Sequence, residues 1–226
     1  MAIKLYGIPE SRAARCLWML EEVGVAYENV PVHFLSSAQQ PDYLKINPNG
    51  RIPTLDDDGL VLFESLAINI HLARRYGIAN GLWPNALEDQ SRAIQWSFWG
   101  MSEVESAVVK MMLNRLFLPE SKRDESVAVE GARAYQKSIS VLAGALQGRQ
   151  YLLGNEFTVA DLNVYSLVDW RHPAMRTPYL DDSSPAEVEA VGAMNLAPHA
   201  ADWAQRCGGR PALARVLAMR NPSRLV

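Results

Sequence analysis

"NPNGRIPTL", Asn47 to Leu55, places four turn-forming residues ahead of a short run that ends in Leu, with its second proline just where a strand begins. Proline has no N–H to give to a β-ladder, so Pro53 requires an edge strand, a bulge, or a cis peptide in a tight turn. Which of these it takes depends on the segments on either side.

Upstream, "AIKLYG" is a short apolar run closed by Gly, followed by "SRAARCLWMLEEVG", with Ser11 as the predicted N-cap of a helix and Gly24 as its stop. "YENVPV" reads as a second strand, with Pro31 pushing it to an edge or an end. "SSAQQP" then leads into a short helical link. Downstream, "TLDDDGLVLF" is a hairpin turning at Asp-Asp-Asp-Gly. "ESLAINIHLARRYG" is a helix with Leu66, Ile70 and Ala73 at helical spacing and Arg74 and Arg75 near its negative end. The first third of the chain is therefore βαβ, a link, then ββα.

Past Tyr76 the pattern changes. "GIANGLWPNALED" is a Gly- and Pro-containing connection, and the periodicity beyond it is helical: about Leu87 to Phe117, Asp124 to Gln147, Thr158 to Trp170, Pro198 to Arg206 and Pro211 to Met219. "RHPAMRTPYLDDSSP", residues 171–185, reads as irregular loop. The fold class is α/β followed by all-α, with a first domain at 1–77, a linker at 78–88 and a helical domain at 89–226.

Composition narrows the function. The 226 residues are 49% hydrophobic, enough for one large core or two smaller ones. A net charge of −3 with no dense Lys/Arg cluster argues against nucleic acid as a partner. Cys16 and Cys207 are the only cysteines, far apart in helical segments, which suits a reducing cytoplasm rather than a disulfide framework. His33, His71, His172 and His199 show no metal-ligand spacing, so no metal is assigned. Neither a signal peptide nor a membrane span is expected.

The order and spacing of "GIPESRAAR", "NPNGRIPTL", "FES" and "TVAD" over nearly the whole chain resemble the glutathione transferase family, as a serine-type, bacterial-like member. The resemblance implies a thioredoxin-like first domain, a cis Pro53, and a backbone at Ile52 that pairs with the cysteinyl part of glutathione as an added strand. It implies that Ser65 and Glu64 receive the γ-glutamyl end. The residues themselves suit this, because a helix N-terminus attracts a carboxylate and a hydroxyl can donate to it. Glutathione would be the cosubstrate, with no prosthetic group, and the protein a homodimer.

Activation of the thiol requires a donor to the sulfur. Ser11, four residues past Gly7 and four before Arg15, looks like the G-x-x-x-S-x-x-x-R arrangement of serine-type members. Tyr6 is the rival, as other members use a tyrosine at the end of the first strand. Cys16 reads as core. The basic residues that often precede the proline matching Pro41 are absent, leaving Gln39, Gln40, Lys45 and Arg51 as candidates for the glycine carboxylate. Ile8, Pro9, Trp99 and Met111 are candidates for an electrophile pocket. In "FTVADL", Thr158 and Asp161 form a capping box and Phe157 a staple on Leu162, a structural element outside the site. The expected activity is attack of the glutathione thiolate on an electrophilic carbon or a peroxide, with a non-catalytic ligand-binding or interaction module of the same fold as the alternative.

Overall fold

A computed structural model describes residues 2–168 and 197–220. The Ile52–Pro53 peptide is cis, and Pro53 stands one residue ahead of β3 (Thr54–Asp57). It therefore lies outside the ladder of a strand that is central. The sheet order is β2 (Glu28–Val30), β1 (Ile3–Tyr6), β3, β4 (Leu60–Phe63). β1 runs parallel to β2 and antiparallel to β3, which pairs antiparallel with β4. Pro31 follows directly on the edge strand β2, where a missing N–H costs no ladder bond. Leu5 and Leu55, partners in register, are fully buried at the centre of the sheet.

α1 (Ala13–Val23) ends at Gly24, whose left-handed backbone returns its N–H to the Leu20 carbonyl at 3.0 Å. Its start differs from expectation. Arg12 occupies the cap position in helical conformation and makes no side-chain cap bond. Ser11 lies one residue further out, its Oγ accepting the Ala13 N–H at 3.1 Å. A 3₁₀ turn (Ser37–Gln39) and α2 (Pro41–Leu44) form the link, and α3 (Ser65–Tyr76) closes the first domain.

The helical domain begins with one rod built from α4 (Leu87–Trp99), a π-helical stretch (Gly100–Glu105), α5 (Ser106–Met112) and a second π stretch (Leu113–Phe117). α6 (Glu125–Leu146) is capped by Asp124, which accepts the Ser126 N–H at 2.8 Å. α7 (Val159–Val168) is buried along its whole length, and α8 (Pro198–Gly208) and α9 (Pro211–Ala218) complete the described helices. The segment 171–185 and the end of the helix expected to reach Trp170 lie outside the described residues.

The capping box forms as expected. Thr158 Oγ1 accepts the Ala160 N–H at 3.2 Å, and Asp161 Oδ2 accepts the Thr158 N–H at 3.0 Å. Asp161 does more than cap, since Oδ1 also takes the Leu152 N–H at 2.8 Å and the Trp203 indole at 2.9 Å.

One core serves both domains. The Trp18 ring of α1 stands edge-on to Tyr165 of α7 at 5.7 Å, and Tyr165 meets Trp203 of α8 at 5.9 Å. Arg210 forks onto Glu22 at 2.6 and 2.7 Å, and Asn69 of α3 donates to Asn163 of α7 at 2.8 Å. Among the described residues no helix is long and apolar enough to cross a membrane.

Candidate functional site

The strand register gathers the site. Thr54, at the start of β3, lies opposite Tyr6 at the end of β1 and Phe63 at the end of β4. The residues just beyond these three positions, Pro53 and Ile52, Gly7 to Ser11, and Glu64 and Ser65, are therefore brought to one end of the sheet. The three sequence motifs become a single edge by pairing alone.

Each part of that edge is fixed by its own contacts. The Asn47–Arg51 turn is held from below, where the Arg51 carbonyl accepts from Tyr43 Oη at 2.7 Å and from Asn47 Nδ2 at 2.8 Å. Gly50, at φ 58°, lies against the Gln39 amide, which donates to its carbonyl at 2.7 Å; a Cβ on Gly50 would sit 2.9 Å from that amide. Left-handed backbone and crowding both select glycine here. Gly7 has φ 148°, and a Cβ there would come within 2.7 Å of the Ala13 Cβ. This close approach lets α1 start directly over the end of β1.

Glu64 is exposed and takes φ 71°, ψ 110°, an unusual backbone for a residue with a side chain. It forms the N-cap of α3 without a side-chain cap bond, and Ser65 follows as the first helical residue. The first-turn N–H groups of a helix lack intrahelical partners and carry partial positive charge, so this end of α3 can receive a carboxylate.

Ser11 is half-buried beside this edge. Its hydroxyl donates to the Ile8 carbonyl at 2.8 Å while accepting from Ala13. Its only proton is therefore engaged locally and must rotate away to reach a sulfur. The Tyr6 ring packs edge-on against Tyr43 at 6.2 Å. Cys16 is fully buried, its thiol donating to the Ser65 carbonyl at 3.4 Å, and burial pushes that thiol well above its usual range. A neutral core residue is what remains.

Lys45 is drawn into an exposed pair with Asp42 at 2.7 Å, and Gln39 is committed to Gly50. Gln40 is exposed at the start of α2. Arg51 is exposed, and its guanidinium meets no acid among the described residues. The proposed electrophile pocket needs correction. Met111 is fully buried against α6, where its Cγ lies 3.1 Å from the position of a Cβ on Gly131, so it has no surface to offer. Ile8 is buried with Val32, Ala38, Tyr43 and Ile52 in a small separate cluster, and Pro9 is buried as well. Trp99 alone of the four is half-exposed, edge-on to Trp96 at 4.9 Å.

A cluster not anticipated from sequence adjoins Ser11. Glu105, on the second-domain rod, accepts from Arg12 Nε at 2.7 Å through Oε1 and from Arg15 Nη2 at 2.9 Å through Oε2. Burial acts to raise the Glu105 carboxyl, but the charges of Arg15 and Arg12 outweigh it and hold it below the usual range. Burial also lowers Arg15, against the pull of Glu105. The available signal was a glutamate next to the buried sequence Val104, Ala107, Val108, Met111, a position where a charge demands a partner.

The chain belongs to the glutathione S-transferase family. Residues 1–74 match the family model described as the glutathione S-transferase N-terminal domain, and residues 107–211 match that of the C-terminal domain. Glutathione S-transferase 3 of Zea mays is 33% identical over 226 residues, an overlap of 96% of this chain and 93% of the relative. The theta class glutathione S-transferase of the citrus canker pathogen Xanthomonas axonopodis pv. citri, solved with glutathione bound, is similar at TM-score 0.77 and 27% identity, covering 97% of this chain and 98% of that one. A glutathione S-transferase-I bound with lactoylglutathione is similar at TM-score 0.74 and 29% identity, over 96% and 99% of the two chains. The fold is that of the family, a thioredoxin-like domain with a four-stranded mixed sheet followed by a helical domain.

Proposed function

We propose that the protein is a serine-type glutathione transferase that binds reduced glutathione along the edge formed by Ile52, Glu64 and Ser65 and activates its thiol beside Ser11. The observation that carries this reading is the register of Thr54 with both Tyr6 and Phe63, which sets a free backbone edge, a helix N-terminus and a hydroxyl side by side. Glutathione presents a peptide backbone, a terminal carboxylate and a thiol in that order of need. The glutathione-bound bacterial relative supports the same ligand here.

Arg51 is the best candidate for the glycine carboxylate. Of the four residues considered, it is the exposed cation without an acidic partner among the described residues, on a turn whose carbonyl is held twice. The electrophile would enter on the side of Trp99. We further assign the division at 1–77, 78–88 and 89–226, a homodimer burying the exposed Val61, Phe63, Ile94 and Phe98, and a reducing cytoplasmic setting suited to two buried free thiols. Sedimentation showing only a 25.1 kDa species would reject the dimer.

Ser11→Ala tests the catalytic assignment. Turnover with an aryl halide should fall about 10²-fold, as for loss of one positioned donor, while glutathione affinity changes little because the other contacts remain. The engagement of the Ser11 proton with Ile8 favours one alternative, a non-catalytic ligand-binding module. In that case the wild type would bind glutathione without turning it over. Loss of activity in Tyr6→Phe but not in Ser11→Ala would transfer the role to Tyr6.

A further inference from the structure

Four hydrogen bonds close into a ring beneath the Ile52 edge. Tyr43 Oη donates to the Arg51 carbonyl at 2.7 Å and lies 2.8 Å from Thr54 Oγ1. Asn47 Nδ2 donates to the same carbonyl at 2.8 Å and to the same hydroxyl at 3.1 Å. The protons fix the direction of the ring. Tyr43 has one and gives it to Arg51, so Thr54 must donate to Tyr43, and the two protons of the Asn47 amide serve the remaining bonds. Both lone pairs of the Arg51 carbonyl are then taken from inside the fold. Tyr43, Asn47 and Thr54 are all buried, and burial holds the Tyr43 hydroxyl above its ordinary range, which keeps the donated proton in place.

The ring holds the chain at Arg51 and at Thr54, so its hydrogen bonds bracket Ile52 and Pro53 without using either. Asn47 Oδ1 extends the hold across the turn by accepting the Asn49 N–H at 3.0 Å. The Ile52 side chain packs below, in the cluster of Tyr43, Ile8, Val32 and Ala38. Its backbone N–H and carbonyl make no hydrogen bond among the described residues. We propose that Tyr43, Asn47 and Thr54 are positioning residues for glutathione, a ring that holds the Ile52 peptide groups outward in the attitude an added strand requires. The inference rests on the glutathione-binding reading above. Strand addition draws its affinity from main-chain hydrogen bonds, and a backbone fixed beforehand loses less freedom on pairing than a loose one. The ring touches no reacting atom, so its effect falls on binding and not on the chemistry beside Ser11.

The test is calorimetric binding of glutathione and of S-methylglutathione to the full-length protein, beside turnover at saturating glutathione. Tyr43→Phe keeps the aromatic packing and removes one hydroxyl, and its Kd for glutathione should rise about fivefold, the size expected for one ordinary hydrogen bond. Thr54→Val opens the ring at two bonds and should raise Kd about tenfold, whereas Thr54→Ser keeps the hydroxyl and should stay within about twofold of wild type. S-methylglutathione, which offers the same backbone without a thiol, should weaken in parallel. In both weakened variants kcat should stay within about twofold of wild type, and the binding stoichiometry should not fall. An unchanged Kd in Tyr43→Phe, or a Kd in Thr54→Ser raised as far as in Thr54→Val, overturns the inference. So does weakening confined to glutathione, which would place the effect at the thiol, or a fall in stoichiometry at unchanged Kd, which would mark a purely structural role. Should Thr54→Val fail to fold, Tyr43→Phe decides alone. A wild type that binds neither ligand instead removes the reading beneath, and this inference falls with it.

Discussion

Asp161 and Glu105 are both buried carboxylates in the helical domain, and they are stabilised by opposite means. Asp161 accepts four hydrogen bonds from neutral donors: two backbone N–H groups, the Thr158 hydroxyl and the Trp203 indole. No cation among the described residues contacts it. Glu105 is held by two guanidiniums from the first domain. Burial prevails at Asp161, whose carboxyl is pushed up despite its four donors, whereas at Glu105 the charges prevail and the carboxyl is held down. A carboxylate held by dipoles within its own domain fixes local structure. One held by charge from across a boundary joins two domains.

The largest effect should come from the first of these. Asp161→Ala strands donors at Leu152, Thr158 and Trp203 in a dry interior, at roughly 1–3 kcal/mol for each unsatisfied group. A loss of about 4 kcal/mol and a fall in Tm of about 10 °C are expected in thermal unfolding. A loss under about 1 kcal/mol would show that water reaches these groups. Next in size is Glu105→Gln, which leaves Arg15 buried without its counter-ion. Its cost should be about 2–3 kcal/mol, below the range for a fully enclosed pair because Arg12 is half-exposed and can rehydrate.

The double variant Glu105→Gln with Arg15→Gln sharpens the contrast. Removing both charges leaves no uncompensated ion, so part of the loss should return, as a positive coupling in a double-mutant cycle. Asp161 admits no such rescue, since two of its donors are backbone groups that substitution does not remove. A cycle with no coupling at Glu105 and Arg15 would mean that their contact contributes nothing to the joining of the domains.

The same contrast accounts for what could be read from sequence. Asp161 was legible because its partner Thr158 lies three residues away and the capping box is a local pattern. The edge that gathers Pro53, Glu64 and Ser65 was legible for a related reason, since these residues sit at element ends marked by turn and cap residues. Glu105 was not, because its partners are 93 and 90 residues distant and nothing local announces them. The π-helical stretch hides it further, as an added residue in the turn shifts the phase on which a 3.6-residue reading depends. Met111 was misassigned because helical spacing identifies an apolar face without saying whether it meets a ligand or α6. Ser11 was read one position too far into the helix, because the Ile8–Arg12 loop satisfies its own polar groups before the helix begins.

The smallest expected effect is a change of slope with pH, and here the two carboxylates should differ in sign. Glu105 has its folded pKa lowered below the reference value of 4.5. The fold therefore binds that proton more weakly than the unfolded chain does, and the resulting stability is present above the ordinary glutamate range and lost as pH falls through the folded value. Asp161 has its folded pKa raised above 3.8, so its contribution favours the fold in acid and is lost as pH rises through the raised value. Asp57, held low by Tyr76, His71 and Arg75 against its own burial, adds to the acid loss but is common to every variant and cancels in the comparison. Unfolding followed from about pH 7 down to about pH 4 should then show a shallower acid decline in Glu105→Gln than in wild type, and a steeper one in Asp161→Asn. Equal slopes in the two variants would mean that neither carboxylate titrates differently in the fold, and the division between dipole-held and charge-held groups would have no thermodynamic consequence.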